Sequence, residues 1–126
     1  MNIPENLSYS TEHLWVKPEG NGLWLAGITD YAQDLLGDIV FVDAPKVGTR
    51  LKEHEACGLV ESVKTGSDLH APLNGTVVAI NETLQDHPEQ INDNPYASWI
   101  FKFETGQADA ASLLNAESYR QLIGQQ

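Results

Sequence analysis

Cysteine is almost absent from this chain. Cys57 stands alone among 126 residues, so no internal disulfide can form and a zinc knuckle is excluded with it. Basic residues are scarce as well. Seven lysines and arginines face 18 aspartates and glutamates, for a formal net charge of −11 and a pI near 4.5. Such a surface repels phosphate backbones and argues against nucleic-acid binding. It favours solubility and suits basic entrances on partner enzymes; a saline habitat would select the same balance. No apolar run approaches the ~18 residues of a membrane span, and the first residues lack the basic and apolar regions of a signal peptide. The expectation is a cytoplasmic protein with neither nucleic acid nor membrane as partner. Motifs of catalysis are missing too. His13, His54, His70 and His87 show no metal-ligand spacing on a helix face, and each reads as a surface or hairpin residue. There is no Gly-x-Ser-x-Gly elbow and no phosphate-cradling loop. The carboxylates are scattered, so neither a catalytic residue nor a metal site is expected.

What is present is enough for a core. Hydrophobic residues make up 41% of the chain, and the length suits one compact domain over residues 1–126. Residues 9–17 and 23–28 read as strands around the turn signal Pro18-Glu19-Gly20-Asn21-Gly22. Thr29 or Asp30 caps a short helix to about Leu36, with Gln33 completing a capping box to Asp30 and Gly37 as the stop. Ile39 to Val42 is a β-rich run, expected to be buried. Thr76 to Ile80 and Trp99 to Phe103 are further strands, and residues 81–91 are expected to be loop with a helical turn. Ala110, Leu113 and Leu114 fit one C-terminal helical pattern. Tyr119, Leu122 and Ile123 fit a second, with Asn115 as its cap. Trp15, Trp24 and Trp99 read as core or rim packing. Gly37 to Val42 echoes Gly75 to Ile80 in residue type, as a barrel of two similar halves would.

The chain is organised around Val60-Glu61-Ser62-Val63-Lys64-Thr65-Gly66-Ser67-Asp68-Leu69-His70-Ala71-Pro72. It reads as strand, tight tip, strand. Thr65-Gly66-Ser67-Asp68 is turn chemistry, with Gly66 free to take a positive φ, so Lys64 is held out on a bend. Cys57, on the strand leading to it, reads as a small buried hydrophobe.

This stretch resembles the attachment site of lipoyl carriers, above all the glycine cleavage H-protein family. There the sequence Val-Glu-Ser-Val-Lys, followed by Ser-Asp and Ala-Pro, surrounds the lipoylated lysine. The resemblance extends through Gly27-Ile28-Thr29-Asp30, Ala32 to Val42, Pro45, Val47-Gly48, Cys57-Gly58, Asn92, Pro95-Tyr96 and Trp99. It implies a mainly β, lipoyl/biotinyl-type flattened β-barrel (a barrel-sandwich hybrid) with short helices, including a C-terminal helical segment. It also implies lipoate joined covalently to Lys64, with Glu61 and Gly75 presenting the site to the attaching enzyme. Biotin carriers place methionines beside the lysine; here the neighbours are Val63 and Thr65. The amide-linked arm would reach roughly 14 Å when extended.

The function so implied is that of a non-catalytic carrier whose arm shuttles an aminomethyl group. Its partners would be glycine decarboxylase, aminomethyltransferase and dihydrolipoamide dehydrogenase, after a lipoate-protein ligase or a lipoyl/octanoyl transferase has loaded it. The family's cargo cleft maps onto Asp68, Leu14 and Tyr31, and the last two depart from the family's usual glutamate and histidine. Leu14 cannot pair with an ammonium; Glu12, two residues earlier, is the candidate to compensate. Ala97-Ser98 stands where the family has glycines. The weakened amine site leaves open two alternatives. One is a sulfur-carrying lipoate-binding protein working with a heterodisulfide-reductase-like complex of bacterial sulfur oxidation. The other is a lipoyl-relay donor to other complexes.

Overall fold

The structure is a computed structural model, and it describes residues 1–106 and 112–124. Among the described residues, nine strands form two sheets. β1 (Ser8–Tyr9), β2 (Leu14–Gly20), β3 (Leu23–Ile28), β5 (Arg50–Leu51), β8 (Gly75–Ile80) and β9 (Phe101–Glu104) form the larger, in the order β1-β2-β3-β9-β8-β5. β4 (Ile39–Asp43), β6 (Ala56–Ser62) and β7 (Gly66–His70) form the smaller, in the order β4-β6-β7. All pairings are antiparallel.

The main core lies between the sheets. Val16, Ala26, Val77, Phe101 and Phe103 come from the larger sheet, and Ile39, Val42, Val60 and Leu69 from the smaller. Period-2 alternation turns these residues inward, and branched or aromatic side chains suit such pleated, half-buried surfaces. This two-layer β architecture agrees with the barrel-sandwich expectation. The echoed segments Gly37–Val42 and Gly75–Ile80 fall in different sheets: β4 in one, β8 in the other.

The described residues also form four short helices: α1 (Asp30–Leu36), α2 (Thr83–Asp86), α3 (Gln90–Asp93) and α4 (Ala116–Leu122). Thr29 is the cap of α1, its hydroxyl accepting from the Ala32 N–H. Gln33 does reach Asp30, but from side chain to side chain at 2.7 Å, so the pair is not a capping box. Gly37 ends the helix at φ 83° and ψ −155°, a conformation essentially restricted to glycine. Asn115 caps α4 through the Ser118 N–H. A second core gathers Ile3, Leu7, Tyr9, Trp15, Ala116 and Tyr119, sealing α4 against β1 and β2.

Several expectations need correction. In β4 only Ile39 and Val42 are buried; Val40 and Phe41 are 52% and 46% exposed. A register shift between Ile39 and Phe41 turns both outward. Leu113 and Leu114 are not helical: Leu114 forms an isolated bridge to Tyr9, and Ala110 lies outside the described residues. Cys57 is half-buried, because β6 changes register between Ala56 and Gly58. Among the described residues, no helix is long and apolar enough to cross a membrane.

Candidate functional site

Lys64 stands at the tip between β6 and β7, exposed, beside Val63 at 67% exposure. The tip is tighter than the sequence suggests. Ser62, Val63, Lys64 and Thr65 make the turn, closed by the Ser62 N–H donating to the Thr65 carbonyl at 2.8 Å. Gly66 already belongs to β7, opposite Glu61, and has no positive φ; the expected turn at Thr65–Asp68 is displaced toward Ser62. The organising group is the buried Ser62 hydroxyl. It accepts from the backbone N–H groups of Lys64 and Thr65, each at 3.1 Å, and donates to the Thr65 carbonyl at 3.2 Å. The tip is also fastened to the body, since the Val63 N–H donates to the Asp38 carbonyl at 3.0 Å.

The lysine stem lies along Gly37. A Cβ at position 37 would fall 2.9 Å from Lys64 Cε and 3.5 Å from Nζ, so a side chain there would push the end of the lysine stem aside. Gly37 ends α1 through its positive φ, and without a side chain it leaves the stem where it lies. Among the described residues, Lys64 makes no ion pair. An exposed amine on a flexible stem, with a backbone fixed by hydrogen bonds, fits covalent attachment of lipoate through an amide. Glu61 is exposed on β6, within the same hairpin. Gly75 sits on the other sheet, where a Cβ would collide with the Glu104 carbonyl and Phe103. Close approach of β8 to β9 is thus a packing reason for that glycine.

A cleft of about 110 Å³ opens between α1 and β7. Glu12, Leu14 and Asp68 line it together with His13, Ile28, Ala32, Leu35, Leu36, Val60, Ser67 and Leu69. Three of the four expected cleft residues therefore meet. Tyr31 does not line it. Ala32, Leu35 and Leu36 share the cleft-facing stripe of α1, and Tyr31 is rotated about 100° from Ala32 by the helical pitch. Its ring packs instead against His13, with centroids 5.1 Å apart. Leu14 is 1% exposed and anchors the cleft floor in the core. Glu12 is partnered: its Oε1 lies 2.7 Å from His54 Nδ1. That hydrogen bond raises the His54 pKa above its ordinary value, with burial opposing slightly.

The residue that sequence reasoning missed is His13. Its backbone is left-handed at φ 72°, a conformation rare for a non-glycine residue. Its Nδ1 lies 2.9 Å from the hydroxyl of Tyr119, which in turn lies 2.8 Å from Thr29 Oγ1. Burial lowers the His13 pKa below the ordinary value, against the pull of Glu12. Nothing in the local sequence marks this, because Tyr119 is remote. Burial also pushes the Cys57 thiol up to about 11.

Two facing sheets, with a lysine exposed on a hairpin tip of the smaller, agree with the barrel-sandwich fold of lipoyl carriers. The chain belongs to the glycine cleavage H-protein family: the family description "Glycine cleavage H-protein" matches residues 7–126. It is 69% identical over 124 residues to the glycine cleavage system H protein of Methylobacillus flagellatus, covering 98% of this chain and 100% of that protein. It is 47% identical to the Cronobacter sakazakii H protein, over 97% of this chain and 96% of the relative. The crystal structure of an H protein from Mycobacterium marinum matches with a TM-score of 0.88 at 38% identity, over 97% of this chain and 99% of that one. Proteins of this family carry lipoate covalently attached to a lysine. The sulfur-oxidation expectation has no support among these relatives.

Proposed function

We propose that residues 1–126 act as one carrier domain, lipoylated on Lys64, which shuttles an aminomethyl group among the enzymes of glycine cleavage. When bound, lipoate supplies a disulfide that opens to hold a cationic one-carbon amine. The chain's own residues hold and shield. Ser62 and Asp38 fix the origin of the arm, so that only the stem and what it bears swing. Leu14, Ile28, Leu35, Leu36 and Leu69 exclude water from the cleft. Glu12 and Asp68 provide the carboxylates that pair with an amine; Leu14 does not, and Glu12 takes over from it. Tyr31 takes part only through His13. Glu61, with the packing that Gly75 permits, presents the hairpin to the ligase or transferase that attaches lipoate. Glycine decarboxylase, aminomethyltransferase and dihydrolipoamide dehydrogenase are the partners visited in turn, and this chain contributes no catalytic residue to them.

The observation that carries this reading is the accessible Lys64 amine on a backbone tied at Ser62. Intact-mass measurement of native protein is expected to show one lipoyl addition, lost in Lys64→Ala. A biotin adduct, or an unmodified chain under lipoylating conditions, would sink it. With lipoylation in place, mixing with glycine decarboxylase is expected to give glycine-dependent CO2 exchange. Its failure would remove the aminomethyl cargo while leaving the carrier.

A further inference from the structure

The three side chains Thr29, Tyr119 and His13 join the N-cap of α1, the C-terminal helix and the cleft wall. Tyr119 is fully buried and stacks on Tyr9, with centroids 4.7 Å apart and planes 13° from parallel. Its hydroxyl is the middle member of the series.

Thr29 is fully buried, and its Oγ1 already accepts from the Ala32 N–H at 3.2 Å. Its own proton needs an acceptor. Among the described residues, the Tyr119 oxygen is the only one in reach. Were Tyr119 to donate to Thr29 instead, that proton would be stranded in the interior, an arrangement native cores avoid. Thr29 therefore donates to Tyr119, and Tyr119 donates to His13 Nδ1. An imidazole that accepts at Nδ1 and is neutral carries its proton on Nε2. Burial favours that neutral ring, and Glu12 is the charged neighbour opposing it. His13 lines the cleft, and with its Nδ1 edge taken, the Nε2 edge is what the ring has left to present.

We propose that His13 is a ligand-binding residue of the cleft, offering an Nε2–H donor to an acceptor on the attached arm, with Tyr119 of α4 as the positioning residue that fixes this tautomer. The donor complements the carboxylates of Glu12 and Asp68. Those two take the cationic end of a cargo; the imidazole takes a lone pair, from a sulfur or from the amide carbonyl that joins the arm to Lys64. This inference rests on the carrier reading for the identity of the ligand, and on the chain alone for the tautomer. It makes the C-terminal helix a working part of the cleft.

The test is 15N–1H correlation spectroscopy of the full chain labelled at histidine, first unmodified. His13 is expected to show a protonated Nε2 and an unprotonated Nδ1; the opposite tautomer overturns the inference and leaves the carrier reading untouched. This readout needs no variant. In Tyr119→Phe, which keeps the ring stack, mixed tautomers and an upward shift of the His13 titration midpoint are expected, whereas Thr29→Ser should keep the wild-type pattern. An unchanged His13 in Tyr119→Phe removes the positioning role. The lipoylated chain is then compared oxidised and reduced. A shift of the His13 Nε2 resonance in both states points to the amide carbonyl, and in the reduced state alone to sulfur. Confirmed lipoylation with no shift in either state overturns the donor role but not the carrier. An unmodified mass at Lys64 overturns the carrier reading and the donor role together, while the tautomer result still stands on its own.

Discussion

At the lysine tip, the hydrogen bonds of the Ser62 side chain span two or three positions of chain. At the histidine wall of the cleft, His13 meets Tyr119 across 106 positions, and Tyr119 meets Thr29 across 90. The tip is exposed and closes on itself; the wall is assembled from the first strands, the first helix and the last helix. A local turn can be strained or substituted with limited damage. A wall built from distant segments shares its stability with the whole fold.

That contrast can be broken from the costly end first. Tyr119→Ala removes a fully buried ring, its stack on Tyr9 and the bridge between Thr29 and His13. A loss of about 3–5 kcal/mol is expected in chemical denaturation; a loss under 1 kcal/mol would mean that α4 is only laid against the body. Ser62→Ala leaves two tip N–H groups without their acceptor and is expected to cost about 1–2 kcal/mol, with slower lipoylation of a chain that still folds. If it matched Tyr119→Ala, the tip would be as tightly coupled to the rest of the fold as the wall is.

Smaller effects come with pH, where His13 and His54 have opposite signs. The His13 pKa is lowered in the fold by burial. The unfolded chain then binds the proton more readily, so stability is lost as pH falls from the ordinary value of 6.5 through the lowered one. The His54 pKa is raised, first by its hydrogen bond with Glu12. Its contribution is complete below 6.5 and is lost as pH rises through the raised value. Denaturation midpoints across this range should flatten on the acid side in His13→Gln and on the neutral side in His54→Gln. The same sign in both variants would contradict the pairings. Smallest of all, Lys64→Gln is expected to shift stability by no more than about 0.5 kcal/mol while abolishing acylation entirely.

The same locality decided what the sequence made legible. Thr29, Gly37 and Asn115 are visible as helix punctuation because caps act within three residues. Lys64 is visible because its whole hairpin is contiguous. Within that hairpin, Gly66 draws the expected turn too far along the chain, because a buried hydroxyl at Ser62 does the same work without any positive φ. Leu14 and Asp68, mapped through the family resemblance, line one cleft with Glu12, the candidate to compensate, whereas the mapped Tyr31 lies outside it. His13 carries no such local signal: its burial comes from Tyr119 and Tyr31, and no spacing near residue 13 encodes a ring more than a hundred positions away. Leu114 carried a helical pattern, but pairing with Tyr9 overrode it.

Cys57 bears on the chemistry in a different way. A chain that bears a reactive disulfide on a tether risks attack by its own thiol. With the thiol pushed up to about 11, only roughly one part in ten thousand is thiolate at neutral pH. Five positions of strand from Cys57 to Ser62, roughly 17 Å, also separate it from the turn that bears Lys64. The half-buried cysteine is thus insulated twice from mixed-disulfide formation, and the tether keeps its sulfurs for other proteins.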